Sequence, residues 1–105
     1  MPKRVMIVDD SRTLEYLIEQ LLVETAYQLV SYCKNGEAAI ALYDMIQPDV
    51  VTMDIIMPGL DGLEAARAIL EQHPSARIVM VSSLAYDDTI EEAKEIGAKA
   101  FVCKP

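Results

Sequence analysis

Asp9 and Asp10 follow an apolar run, Val5-Met6-Ile7-Val8, and a third aspartate, Asp54, follows another, Val50-Val51-Thr52-Met53. Lys104 closes the run Phe101-Val102-Cys103, and Ser82 ends a fourth that starts near Arg77. If these runs are neighbouring parallel strands, three carboxylates, an ammonium and a hydroxyl meet at one edge, because an open parallel sheet delivers its functional residues at the carboxyl ends of its strands. Hard oxygen donors of this kind suit a divalent cation. A carboxylate within such a site can also act as a nucleophile and form an aspartyl phosphate. Each residue alone has a plain role as a helix cap or solvated side chain. Their joint placement at strand ends is what points to chemistry.

The elements that must position them read clearly. Strand-like runs alternate with helical patterns along the chain, the signature of βαβ units winding a parallel sheet. Five strands are expected: residues 4–9, 28–33, 49–54, 77–82 and a last one ending at Lys104. The first, third and fourth are continuous apolar runs, as expected for strands covered on both faces. The second is more polar and belongs at an edge.

Between the first two strands, Leu14, Leu17, Ile18, Leu21 and Leu22 recur at helical spacing and predict one apolar helix face, with Ser11 or Asp10 as cap. A second helix follows Asn35-Gly36 and presents Ala39, Ile40 and Tyr43 until Pro48 ends the segment. A third starts near Gly62 and presents Leu63, Ala66, Ile69 and Leu70 before Pro74. A fourth, capped by Asp87 or Asp88, presents Ile90, Ala93 and Ile96 and ends at Gly97. His73, at a helix end away from the strand ends, is expected to be a solvated or capping histidine.

At 105 residues the chain is expected to form one domain, residues 1–105, since a single core commonly serves chains of about 100 to 200 residues. A hydrophobic fraction of 52% with 25% charged residues excludes a disordered chain, and no apolar run approaches the ~20 residues a membrane span needs. The net charge of −8 argues against intrinsic binding to nucleic acid or an anionic membrane, both of which need a basic field. Met1-Pro2-Lys3-Arg4 leads straight into a strand without an apolar signal core, so the cytoplasm is the expected location. The two cysteines, Cys33 and Cys103, form no Cys-x-x-Cys pair and read as free thiols.

Taken together, the segments resemble the receiver domains of two-component response regulators, most closely the chemotaxis, CheY-like members. The likeness spans the chain. It is carried by Val8-Asp9-Asp10-Ser11, by Asn35-Gly36-Glu37-Ala38, and by Met53-Asp54-Ile55-Ile56-Met57-Pro58-Gly59-Leu60-Asp61-Gly62. It continues through Met80-Val81-Ser82-Ser83 and Gly97-Ala98-Lys99-Ala100-Phe101-Val102-Cys103-Lys104-Pro105. The fold expected is α/β, a three-layer flavodoxin-like, doubly wound sheet of five parallel strands in the order 2-1-3-4-5, with the family's fifth helix missing. In that order Cys33 and Cys103 sit on opposite edge strands, four spacings or ~19 Å apart, beyond the ~7 Å reach of a disulfide.

The resemblance implies that Asp54 accepts a phosphoryl group from the phosphohistidine of a sensor histidine kinase. It implies that Asp10 and Asp54, with the backbone carbonyl of Ile56, ligate Mg²⁺ while Asp9 acts mostly through bound water. Ser82 would donate to a phosphoryl oxygen, and Lys104 would offset negative charge, since the three carboxylates and a dication leave about −1 and phosphorylation adds up to about −1 more. A cis Lys104–Pro105 bond would aim the lysine. The switch would consist of Ser82 and of Phe101, which stands where Tyr is commoner, and its output would be a change in binding to a downstream effector protein. Ile56 and Leu84, both apolar, would flank the path of the hydrolytic water and slow signal decay.

Two readings compete with a chemotaxis-type switch. The chain resembles the receiver of the chemotaxis methylesterase as well, so a regulatory domain excised from a multidomain protein is the alternative. A Mg²⁺-dependent phosphohydrolase with an aspartyl nucleophile is the rival from the enzyme class, but it usually needs an acid or base two residues after the nucleophile, where Ile56 stands. A flavodoxin-like cofactor binder would need a phosphate-cradling loop where Asp9-Asp10-Ser11 stands. Without a fifth helix, one sheet face carries only the first helix and exposes apolar surface. That leaves a truncated domain, a dimer or a domain swap open as ways to cover it.

Overall fold

A computed structural model describes residues 3–23, 25–83 and 86–104, apart from the side chains of Arg12, Thr13, Leu14 and Leu21. Leu84 and Pro105 lie outside the described residues, and with them the expectations placed on Leu84 and on the Lys104–Pro105 bond. The elements alternate strictly: β1 (Lys3–Val8), α1 (Arg12–Leu22), β2 (Tyr27–Cys33), α2 (Gly36–Ile46), β3 (Val50–Met53), α3 (Gly62–Gln72), β4 (Ile78–Ser82), α4 (Asp87–Ile96) and β5 (Ala100–Cys103). All pairings are parallel, in the order β2-β1-β3-β4-β5. The fold is thus the expected doubly wound α/β sheet, with four helices among the described residues. Cys33 and Cys103 sit on opposite edge strands, and both are free. Among the described residues no helix is long and apolar enough to cross a membrane.

The core lies between the sheet and one helical layer. Met6, Val8, Val51, Met53, Ile78 and Met80 pack there against Ala39 and Tyr43 of α2, Leu63, Ala66 and Ile69 of α3 and Ala93 of α4. Right-handed crossovers place α1 on the opposite face. That face is thinner than the apolar runs suggest. Only β1 is buried on both sides from Val5 to Val8, whereas β4 alternates buried and half-buried residues and Val102 of β5 is 48% exposed. A continuous apolar run therefore does not prove two covered faces here, because α1 is the single helix on its side. Leu17, expected on the buried stripe of α1, is 47% exposed for the same reason.

Caps decide the helix ends. Asn35 Oδ1 accepts from Ala38 N at 2.8 Å and starts α2, and Asp61 Oδ1 accepts from Glu64 N at 2.9 Å and starts α3, each satisfying an otherwise unpaired first-turn donor. At α4 the expectation of an Asp87 or Asp88 cap is corrected. Extended Tyr86 holds the cap position without a side-chain bond, and both aspartates fall inside the first turn, where their charge suits the positive end of the helix dipole. The segment after α2 turns at Gln47, in the left-handed region at φ 46°, one residue before Pro48. His73 caps the end of α3, and it is not simply solvated: its Nε2 lies 3.2 Å from Asp44 Oδ1 and its ring centroid 5.0 Å from that of Tyr43, joining α3 to α2.

Candidate functional site

The sheet ladder continues one residue past each strand end, and those extra residues carry the chemistry. Asp9 N donates to Cys33 O at 3.0 Å, Asp54 N to Val8 O at 2.9 Å and Lys104 N to Ser82 O at 3.0 Å. With Val8 level with Met53 in the register, the backbones of Asp9 and Asp54 leave adjacent strands side by side. Backbone pairing thus fixes the origins of three side chains before any side-chain contact forms.

Asp54 is 5% exposed; its Oδ1 accepts from Ile55 N at 2.8 Å and its Oδ2 from Lys104 Nζ at 3.0 Å. Asp9 is 2% exposed, and its Oδ1 accepts from Ser11 N at 2.7 Å. Asp9 Oδ2 is also 3.0 Å from Lys104 Nζ, an ion-pair contact whose angle does not make a directed hydrogen bond. Asp10 is exposed at the mouth, and the three carboxylates each offer an oxygen within 4.8 Å of the others. One ammonium therefore faces two buried carboxylates, with a third at the rim.

These contacts set the charge states. Burial pushes the Asp54 carboxyl above the usual carboxylate range, and Asp9 pushes the same way, while Lys104 and the Ile55 N–H hold it down. Burial alone would lower the Lys104 ammonium. Its hydrogen bond to Asp54, its close contact with Asp9 and the attraction of both carboxylates outweigh that effect, so its pKa is raised and it stays charged. The donor set fits a hard divalent cation: all oxygens, excess negative charge, and a buried Asp9 Oδ2 without a directed hydrogen bond.

The loop after β3 approaches Asp54 so closely that residue 62 must be glycine. A Cβ there would lie 1.8 Å from the Asp54 carbonyl oxygen, and Gly62 N donates to Ile55 O at 2.8 Å. In the sequence Gly62 reads only as part of a motif and a helix start. Its spacing from Asp54 was visible, but the contact that demands it is tertiary. Ile56 presents a 58% exposed side chain at the rim.

Ser82 is buried at the end of β4, level with Cys103 on β5. Phe101 is not among the clustered groups. It is half-buried, packs against the core and lines a small groove with Ile90, Ala93 and Lys94 of α4. The structure therefore brings together Asp9, Asp10, Asp54 and Lys104, places Ser82 on the same edge of the sheet and sets Phe101 apart under α4.

Comparison with known proteins bears on this arrangement. The family model for the response regulator receiver domain matches residues 5–105. The chain is 36% identical over 102 residues to the chemotaxis protein CheY of Listeria monocytogenes, covering 97% of this chain and 86% of that protein. It superposes on the crystal structure of the CheX-CheY-BeF3-Mg complex from Borrelia burgdorferi with a TM-score of 0.96 at 32% identity, covering all of this chain and 80% of that one. The response regulator domain of Thermotoga maritima CheB gives 0.93 at 34% identity, again over all of this chain and 80% of that one.

Proposed function

The chain belongs to the response regulator receiver domain family, and from that premise we propose that Asp54 accepts a phosphoryl group from the phosphohistidine of a sensor histidine kinase. The reading is carried by one observation: Asp54 and Asp9, both buried at adjacent strand ends, share Lys104 Nζ at 3.0 Å each, with Asp10 at the mouth. An Asp54 oxygen attacks phosphorus, a P–O bond forms as the P–N bond of the donor breaks, and the departing imidazole takes up a proton. Ionised Asp54 is the reactive form, and Lys104 and the Ile55 N–H stabilise it against its burial.

Asp10, Asp54 and the Ile56 carbonyl would hold Mg²⁺, with Asp9 acting mostly through water, and the ion would neutralise and orient the phosphoryl oxygens. Lys104 turns its ammonium from the carboxylate to the new phosphoryl oxygens without leaving the site. Ser82 donates its hydroxyl to one of those oxygens, and that movement leaves room for Phe101 to turn further under α4. Differential stability of only a few kcal/mol between two such states suffices for a switch. The output is altered binding of a downstream effector protein in cytoplasmic, chemotaxis-type signalling. The similarity to a CheB receiver supports a second setting for the same chemistry, a regulatory module within a multidomain protein.

The test is the intact mass after incubation with acetyl phosphate and Mg²⁺. One added phosphoryl group, lost in Asp54→Asn and without metal, is expected. A folded sample that gains none contradicts the proposal.

A further inference from the structure

The loop between β3 and α3, residues 54–61, carries both Asp54 and the Ile56 carbonyl, so its backbone sets the spacing between two groups that would hold the cation. Its first part is fixed from within, by Gly62 N on Ile55 O and by the close seat of Gly62 on the Asp54 carbonyl. The rest reaches outward: Ile56, Pro58 and Gly59 are all exposed. One side chain from another element grips it. Glu37 Oε1 accepts from Leu60 N at 2.8 Å across 23 sequence positions.

The grip is shaped for a carboxylate. Gly59 has φ 78°, and a Cβ there would lie 2.9 Å from Glu37 Oε1 and 3.2 Å from Oε2. Residue 59, lacking a side chain and accepting the left-handed region, lets Glu37 lie flat against the loop, where a Cβ would push its carboxylate aside. Glu37 stands in the first turn of α2, a platform already fixed by the Asn35 cap.

We infer that Glu37 is a positioning residue for the metal site: it clamps the outer part of the β3–α3 loop to α2 and so keeps the Ile56 carbonyl in register with Asp54 and Asp10. The inference rests on the proposed function, and it concerns a residue that would touch neither cation nor phosphoryl group. A carboxylate in a first turn could otherwise serve only the helix dipole. Two substitutions separate these roles. E37Q keeps the acceptor oxygen but loses the charge, whereas E37A loses both. A clamp makes E37Q behave like wild type, and a dipole partner makes it behave like E37A.

The experiment titrates the full chain with Mg²⁺ alone, without a phosphodonor, following backbone amide shifts by NMR in wild type, E37Q and E37A. The Kd for Mg²⁺ is expected to rise up to about tenfold in E37A, equivalent to about 1.4 kcal/mol, and to stay within about twofold in E37Q. The Leu60 amide should exchange faster with solvent in E37A only. Phosphorylation by acetyl phosphate should slow in E37A at low Mg²⁺ and recover at saturating Mg²⁺. Glu37 is exposed, so its loss opens no cavity; should E37A melt early, E37S, with a residue favoured at helix starts, takes its place with the same expected loss. A wild type that binds Mg²⁺ with no change in E37A, or with E37Q as weak as E37A, overturns the clamp alone. A wild type that does not bind at these carboxylates overturns the proposed site and the clamp together.

Discussion

Replacing Lys104 by methionine removes the cation and keeps most of the side-chain volume. The ammonium lies 3.0 Å from Asp9 Oδ2 and 3.0 Å from Asp54 Oδ2, with a side chain 20% exposed. At an effective dielectric of about 20, each contact is worth about 5 kcal/mol before desolvation is subtracted. The net cost of removing one partner of a buried pair is about 3–5 kcal/mol, because the partner charges stay buried and unpaired. Both acids are almost fully buried, so K104M should destabilise the metal-free protein by about 3 kcal/mol or more at pH 7.

The loss must depend on pH with a definite sign. Lys104 has a raised folded pKa, so its contribution is complete below its unfolded value of about 10.4 and fades only as pH rises through the folded value. On the acid side the penalty shrinks as Asp54 protonates. Asp54, already raised by burial, rises further once Lys104 is gone. The assay is urea unfolding in EDTA, followed by circular dichroism, at pH 7 and at pH values reaching down through the carboxylate range. With m near 1–3 kcal/mol/M, the midpoint at pH 7 should fall by about 1–3 M. A change below about 1 kcal/mol at pH 7, or a penalty that grows towards acid, would refute the electrostatic account.

Asp54→Asn should raise the metal-free unfolding temperature at pH 8, since a carboxyl with a raised folded pKa supports the fold only below its unfolded value and loses that support as pH rises through the folded one; a lower temperature would contradict this. Gly62→Ala forces a methyl to within 1.8 Å of the Asp54 carbonyl oxygen, so it should cost about 3 kcal/mol or more in urea unfolding and displace the acceptor, visible as loss of the phosphorylated mass. Ile56→Asn, at a side chain 58% exposed on the rim, should speed dephosphorylation several-fold by offering a polar partner to attacking water. A decay time course that matches wild type would remove Ile56 from any role in signal lifetime.

How much of this was legible in the sequence differs by layer. Apolar runs punctuated by Asn35-Gly36, Asp61-Gly62 and Gly97 marked the alternating elements, because cap and turn chemistry are local. The strand order needed the motif set as a whole, since periodicity does not choose sheet neighbours. For the second sheet face the apolar runs misled, since runs such as Ile78–Ser82 look alike whether one face or two are packed, whereas the expectation of one face carrying only the first helix and exposing apolar surface agrees with the exposed Leu17 and Val102. At the site, Asp9, Asp10, Asp54 and Lys104 were readable as strand-end residues. Missed were the contacts that hold the loop, Gly62 under Asp54 and Glu37 on Leu60, because both join residues whose proximity only the folded backbone creates.

The central claim is that Asp54, and neither of its acidic neighbours, takes the phosphoryl group. The most direct measurement treats the full chain with acetyl phosphate and Mg²⁺, reduces the acyl phosphate with borohydride and maps the altered residue by peptide mass spectrometry. The account predicts reduction at Asp54 alone, with Asp9 and Asp10 intact. A reduced Asp9 or Asp10, or an unaltered Asp54 in a folded and metal-loaded sample, would contradict it.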